Sequence, residues 1–250
     1  MLDINNIKNS LIKDTYIEYK DITESTNDDV SLFSSSQGNK DYIVIAGQQT
    51  KGRGRLDHSF ISPKGGIYLS ILKNIGNVPK DKLSLITPIV ALATYKAIKE
   101  ILNIDTDIKW INDILYNGKK VCGVLCELQK DYKHIIIGIG IDYHIKENDI
   151  DNNLKDIVGT LSKEYDESIA SRLIIALINN ISSLIDKLPD AAFLDEYRAQ
   201  CITIGKDISF MYNNKTHYAK ALDVLNDGSL QVKEGDKVYS LNAGEVSIIR

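Results

Sequence analysis

Asn117-Gly118 stands between two strand-like runs, residues 108–116 and 119–127. Asn-Gly tolerates φ > 0 at both central positions of a type I′ turn, whose twist matches that of the strands it joins. The two runs are therefore predicted to pair antiparallel. A second turn through Lys130-Asp131-Tyr132 returns the chain as residues 134–141. The middle of the chain reads as an antiparallel meander, and it needs helices to cover it. Residues 83–102 supply one, opened by Pro79-Lys80-Asp81-Lys82, with Pro88 predicting a kink or break near Thr87. Ile169, Leu173, Leu177, Ile181, Leu184 and Leu188 recur on one face of another, which Pro189 should stop. Phe193, Leu194 and Tyr197 suggest a short one after it. Strands at 16–19, 42–46 and 65–72 precede the meander, and residues 151–163 are polar and irregular. The predicted class is α+β, a mixed or antiparallel sheet flanked by helices.

After Cys201 the pattern changes to short strands alternating with turns, at 208–211, 217–224, 230–232, 238–241 and 246–249. That reads as a small barrel. A chain of 250 residues has room for one large unit, 1–200, and this smaller one, 201–250. Six Lys/Arg balance six Asp/Glu within 202–250, so the barrel is read as protein-facing or lid-like, not nucleic-acid-binding. The net charge of -4 likewise offers no broad basic surface. Residues 1–15 are too few for a helix-turn-helix module. Met1-Leu2-Asp3-Ile4-Asn5-Asn6 lacks the apolar region of a signal peptide, and apolar runs such as 135–141 and 173–177 are too short to span a bilayer. Cys122, Cys126 and Cys201 are an odd set that implies no disulfide framework. The expectation is a soluble, cytoplasmic protein.

One loop does not read as scaffold. Gln48-Gln49-Thr50-Lys51-Gly52-Arg53-Gly54-Arg55 follows the strand at 42–46 and sets two glycines among three cations. Glycines allow close backbone approach, and arginine forks suit carboxylate or phosphate oxygens. With almost no apolar side chain to offset ordering, the loop is expected to be mobile until an anion arrives. Ser25-Thr26-Asn27-Asp28 reads as a capping box that opens a short helix. Strict alternation puts Lys120 and Gly123 on opposite strand faces, so one ligand can touch both only through backbone or a bulge. Taken singly, Lys120 reads as a solvated hairpin lysine and Trp110 as core. Cys122 and Cys126 share a face and read as packing, not metal ligands.

Taken together, the motifs have a family. Ser25-Thr26-Asn27, Gly52-Arg53-Gly54-Arg55, Lys109-Trp110-Ile111-Asn112-Asp113, Lys120 with Gly123, Gly138-Ile139-Gly140-Ile141 and the tail Leu241–Ser247 resemble the biotin protein ligases, in order and over nearly the whole chain. The resemblance implies a class II synthetase-like catalytic domain with a C-terminal SH3-like barrel. It implies ATP and Mg²⁺, with biotin as substrate and the biotin carboxyl carrier domain of a carboxylase as acceptor. It implies that Ser25, Thr26 and Gln49 bond the ureido ring, with Asn27 in support. Gly52 and Arg53 would border the biotin, and Gly123 and Gly140 would let the backbone pass close to it. Lys120 would hold the carboxylate and the developing charge at the α-phosphate. Arg53 and Arg55 would order the loop. Asn112 and Asp113 would face the phosphates and metal, with Trp110 and Phe60 near the nucleotide. Ile111, Phe60 and Asp142 replace the family's Pro, Trp and Asn, and Asp142 adds a negative charge near an anionic site.

A lipoate- or octanoate-transferring relative is the nearest alternative; it would need an apolar tunnel where Ser25, Thr26 and Gln49 stand. A biotin-sensing repressor and a non-catalytic binding protein are the others. For self-association the expectation is monomer or homodimer, with residues 134–141 as an edge for pairing.

Overall fold

The computed structural model describes residues 2–33, 40–188 and 192–249, and of Asp57 only the backbone. Its first sheet has seven strands: β1 (Thr15–Lys20), β2 (Asp41–Ala46), β3 (Ile67–Asn74), β4 (Asp107–Lys109), β5 (Asp113–Tyr116), β6 (Lys119–Leu128) and β7 (His134–Ile141). Their order is β1-β2-β3-β7-β6-β5-β4. β1 and β2 are parallel and every other pair is antiparallel, so the sheet is mixed. The Asn-Gly turn forms as predicted: Asn117 (φ 51°) and Gly118 (φ 75°) join Tyr116 to Lys119.

Two expectations about the meander are corrected. Residues 134–141 are no edge, because β3 and β6 flank β7 along its length. All eight of its residues are buried, and a strand apolar on both faces belongs inside a sheet. The outermost strands are β1 and β4. Residues 108–116 are two strands, with Lys109 folded back opposite Asp113. The turn exists because Trp110 and Ile111 are drawn inward. The Trp110 backbone N–H donates to Thr203 Oγ1 at 3.0 Å, and its indole N–H to the Gly228 carbonyl at 3.0 Å. Both partners lie in the last fifty residues, so the turn is held by the C-terminal part of the chain.

A short α1 (Ile4–Ser10) precedes β1, and α2 (Thr26–Ser31) precedes β2. α3 (Ile86–Leu102) follows a 3₁₀ turn, Lys80–Leu85, so a break does fall near Thr87, at the junction of Leu85 and Ile86. Pro88 thus sits in the first helical turn, where its missing N–H costs no intrahelical bond. α4 (Glu167–Asp186) packs on α3. At twenty residues it is long and apolar enough, by length and composition, to cross a membrane, which counting short apolar runs overlooked. Here Leu173, Leu177 and Ile181 are buried in the core. Pro189 lies outside the described residues. α5 (Phe193–Gln200) forms where expected.

The C-terminal strands β8 (Asp207–Tyr212), β9 (Lys215–Val224), β10 (Leu230–Glu234), β11 (Lys237–Leu241) and β12 (Val246–Ile248) make an antiparallel sheet in the order β11-β10-β9-β8-β12, which fits an SH3-like barrel. Its inner residues Ile208, Ala221 and Leu230 belong to the same apolar cluster as Ile89 and Ile139 of the larger unit.

Candidate functional site

Start with the polar corner. Gln49 leaves β2 and is pinned by backbone bridges to Thr23 and Ser62 on either side. Its Oε1 accepts from the Thr26 backbone N–H at 2.8 Å and lies 3.0 Å from Thr26 Oγ1, and its Nε2 donates to Ser62 Oγ at 2.9 Å. Gln49 therefore satisfies an N-terminal N–H of α2. The capping box does not form: Ser25 holds the cap position with extended backbone but makes no side-chain cap bond. Asp28 turns instead toward Arg53, 3.4 Å from its Nε. Below Thr26, Ser70 Oγ lies 2.7 Å from Thr26 Oγ1 and 2.6 Å from Asn27 Oδ1. Ser25, Thr26, Asn27 and Ser70 are all buried. A Cβ on Gly138 would stand 2.1 Å from Asn27 Oδ1, so a bare strand is required there.

The Gly-Arg loop is tied down without any apolar packing. Lys51 N–H donates to the Glu24 carbonyl at 2.8 Å, and Gly54 N–H to His58 at 2.6 Å. Arg53 Nη2 meets Glu127 Oε2 at 2.6 Å, and Arg55 donates to Asn112 Oδ1 at 2.9 Å. These polar anchors are what a reading of composition alone left out. Gly52 does not face the inner cavity. It crosses the returning chain, where a Cβ would lie 2.4 Å from the Phe60 carbonyl and 2.6 Å from Ser62 Oγ.

The charged end is built by a bulge. Asp113 pairs with Gly123 and Ile114 with Cys122, but Leu115 pairs with Lys120, so Val121 is the extra residue. The slip returns Lys120 to the face of Gly123, where a Cβ on Gly123 would be 3.1 Å from Lys120 Cε. Lys120 Nζ stands 2.7 Å from Asp113 Oδ1. That oxygen is buried and accepts no hydrogen bond, so the two meet as charges, off the hydrogen-bonding direction. Asp142 is corrected: burial pushes its carboxyl well above the usual range, with Lys120 only partly offsetting, so the neutral acid is favoured over an added charge. Burial also raises the Cys122 thiol, and pushes Cys126 up to about 12, so neither is a nucleophile.

Phe60 lines the same cavity as the charged end. Its ring lies over both glycines of the floor, where Cβ atoms would come within 3.0 Å at Gly123 and 2.3 Å at Gly140. Lys120 Nζ is 5.7 Å from the ring centre. Trp110 borders the cavity but is 3% exposed, its indole N–H committed to Gly228.

Corner and charged end open into one cavity of 330 Å³, which every candidate residue except Gly52 helps to line. Sequence reasoning missed several walls. Ser62, Ser70 and Glu127 serve the polar corner; Ile150, Leu154 and Ile157 line one side, and Gly244 to Ser247 close the rim from the C-terminal sheet. Ser70 carries a signal, a small hydroxyl side chain between Leu69 and Ile71 in β3. Glu127 carries another: it alternates with Gly123 and Leu125 on one strand face. As for a metal, no group of three His, Cys, Asp or Glu comes together among the described residues. What the site offers is the Asp113 carboxylate, at rest 2.7 Å from Lys120, and one carboxylate suits a Mg²⁺ held mainly by phosphates and water.

A model of the biotin/lipoate A/B protein ligase family matches residues 19–142. The bifunctional ligase/repressor BirA of Bacillus spizizenii is 31% identical over 242 residues, 90% of this chain and 72% of that protein. The biotin--[acetyl-CoA-carboxylase] ligase of Mycobacterium tuberculosis is 26% identical over 235 residues, 91% of this chain and 87% of that one. Among solved structures, the biotin protein ligase of Aquifex aeolicus in complex with biotin and ATP superposes with a TM-score of 0.79 at 27% identity, covering 94% of this chain and 99% of that chain.

Proposed function

This chain belongs to the biotin protein ligases, and from that premise we propose how its own residues share the work. The enzyme is an ATP-dependent ligase. The biotin carboxylate attacks the α-phosphate of ATP and pyrophosphate leaves. An amine of a protein then attacks the mixed anhydride and AMP leaves. No protein nucleophile is required, so positioning and electrostatics carry the rate.

Thr26 and Gln49 take the ureido ring, with Ser25 and Asn27 beside them. Lys120 exchanges Asp113 for the biotin carboxylate and the charge growing at the α-phosphate. Asp113, released, is the group that would hold Mg²⁺, which supplies charge neutralisation at the phosphates when bound. Arg53 and Arg55 keep the loop over the anhydride and water out. The Phe60 ring moves off Gly123 and Gly140 so that the biotin tail can lie there. Trp110 acts from behind, by fixing the turn that presents Asn112 and Asp113. Residues 1–200 form the catalytic unit and 201–250 a barrel that closes its rim. The acceptor is a lysine of a biotin carboxyl carrier domain, and the cytoplasm is the compartment; three free cysteines suit its reducing conditions.

The observation that carries this reading is a single cavity with a hydrogen-bonding corner at one end and Lys120 at the other. The test is incubation with biotin, Mg-ATP and a carrier domain, read by intact mass. A biotinyl mass increase on the carrier is expected. Modification by lipoate in place of biotin would favour the lipoate-transferring alternative, which the polar corner argues against.

A further inference from the structure

We propose that Glu127 is a positioning residue of this ligase, coupling the corner that takes the biotin ring to the loop that covers it; the proposal rests on the reading above. Its Oε2 accepts from two directions, from Asn27 Nδ2 at 2.7 Å and from Arg53 Nη2 at 2.6 Å. The Asn27 amide has a fixed sense, because its other end takes the Ser70 hydroxyl. Ser70 Oγ in turn lies 2.7 Å from Thr26 Oγ1, and the Thr26 backbone N–H donates to Gln49 Oε1 at 2.8 Å, which leaves the Thr26 hydroxyl proton for Ser70. One chain of hydrogen bonds therefore runs from Gln49 to Arg53, and Glu127 is its only charged acceptor.

The position of Glu127 explains why that matters. A second cavity, 510 Å³, lies on the outer side of the loop. Asn27 lines the inner cavity, Glu127 the outer one, and Arg53 both. The three side chains are part of the partition between them, with Gly54, His58, Ser59 and Leu125, which also line both. The loop's backbone bonds go to Thr23, Glu24 and its own returning strand, not to β6. Its side-chain tie to β6 is the Arg53–Glu127 pair, while Arg55 is held by neutral Asn112. Charge-assisted bonds of this kind are shorter and stronger than neutral ones. A ring seated at Gln49 and Thr26 thus steadies Asn27, and through Glu127 it steadies the loop that keeps water from the adenylate.

The test compares wild type with Glu127→Ala and Glu127→Gln. With Glu127→Ala, KM for biotin should rise on the order of tenfold, the scale of a lost charge-assisted hydrogen bond at a partly exposed site. Biotinyl-adenylate should escape into solution faster by a similar factor, while kcat for pyrophosphate release falls much less. Glu127→Gln, which keeps one acceptor oxygen, should lie between. In free protein, trypsin should cut Glu127→Ala at Lys51, Arg53 or Arg55 roughly tenfold faster than wild type. Wild-type KM and adenylate retention in Glu127→Ala overturn the proposal, as does equal cleavage. A parallel fall in kcat and melting temperature also overturns it, since that marks a merely structural glutamate. The cleavage arm needs no ligand. A wild type that releases no pyrophosphate, yet shows the cleavage difference, would refute the ligase reading and keep the tie.

Discussion

The two ends of the cavity are built on opposite principles. At the ring corner every polar group on Thr26, Asn27, Gln49 and Ser70 already has a partner, before any ligand arrives. At the charged end, Asp113 Oδ1 is buried without a hydrogen bond and Asp142 is sealed in as an acid that resists ionising. A satisfied network holds a shape, and shape is what recognition of a ureido ring needs. Charges paired with each other at short range, without a directed hydrogen bond, are costly to hold at rest. They are able to exchange partners when phosphates come, and that is what stabilising a transient charge needs. The difference predicts that changes at the charged end act on rate, and changes at the corner act on affinity and stability.

The largest effect should come from Lys120→Ala. Adenylate formation, followed by pyrophosphate release, should slow by roughly a hundredfold or more, as for the loss of one transition-state stabiliser. Melting temperature should fall only slightly: Asp113 loses its resting ion-pair partner, but solvent reaches both side chains and such a pair contributes little. A wild-type rate of pyrophosphate release would remove Lys120 from the chemistry and erase the distinction between the ends.

Next is Gln49→Ala. It takes away the acceptor of Thr26 and, under the present reading, a partner of the ureido ring. Biotin affinity by calorimetry should fall by roughly ten- to a hundredfold, while wild type binds biotin far more tightly than lipoate, because a site built for hydrogen bonds rejects a ligand without them. Equal affinities of wild type for the two ligands would show that the corner is not a recognition element.

Ser70→Ala tests whether the corner is also structural. It leaves buried oxygens of Thr26 and Asn27 short of a partner, at a cost of about 1–3 kcal/mol. Urea denaturation should show this loss, and refolded enzyme at saturating biotin should keep most of its kcat. A variant as stable as wild type would mean that the network is decorative.

How much of this was visible in the residues themselves follows the same divide. The Asn-Gly turn and the helical stripe of α4 were legible because local chemistry dictates them; the clustering of Gln49, Thr26, Lys120 and Asp113 was legible only through the resemblance of the motifs to a family. The Val121 bulge was legible as a requirement, since Lys120 and Gly123 had to reach one face, but not as a place. The interior position of β7 was not foreseen: which strand ends inside a sheet depends on β3, some sixty residues earlier. Nor was the Trp110 turn, whose partners Thr203 and Gly228 are about a hundred residues away. The loop's anchors, Glu127 and Asn112, were not legible either, because they are polar side chains on distant segments, invisible to any count of apolar residues. Asp142 was misread for a different reason: a letter tells charge only when burial is known.

That last residue gives the smallest effect and the sharpest sign. The folded carboxyl of Asp142 is held above its ordinary value by burial, against the pull of Lys120. Well below about pH 4 both folded and unfolded chains carry the proton, and it makes no difference to stability. As pH rises above that, the unfolded chain ionises first. Wild type then loses stability, by at most about 1.4 kcal/mol per pH unit, until the folded carboxyl ionises too. Asp142→Asn has the same shape and no proton to lose. Measured by urea denaturation, the variant should gain on wild type as pH rises above about 4 and should not gain below it, with adenylation near pH 7 close to wild type. If Asp142 were instead ionised and paired with Lys120, the substitution would strip a partner from that ammonium. The variant would then be less stable at neutral pH, and the charged end would prove to be as fully satisfied at rest as the corner.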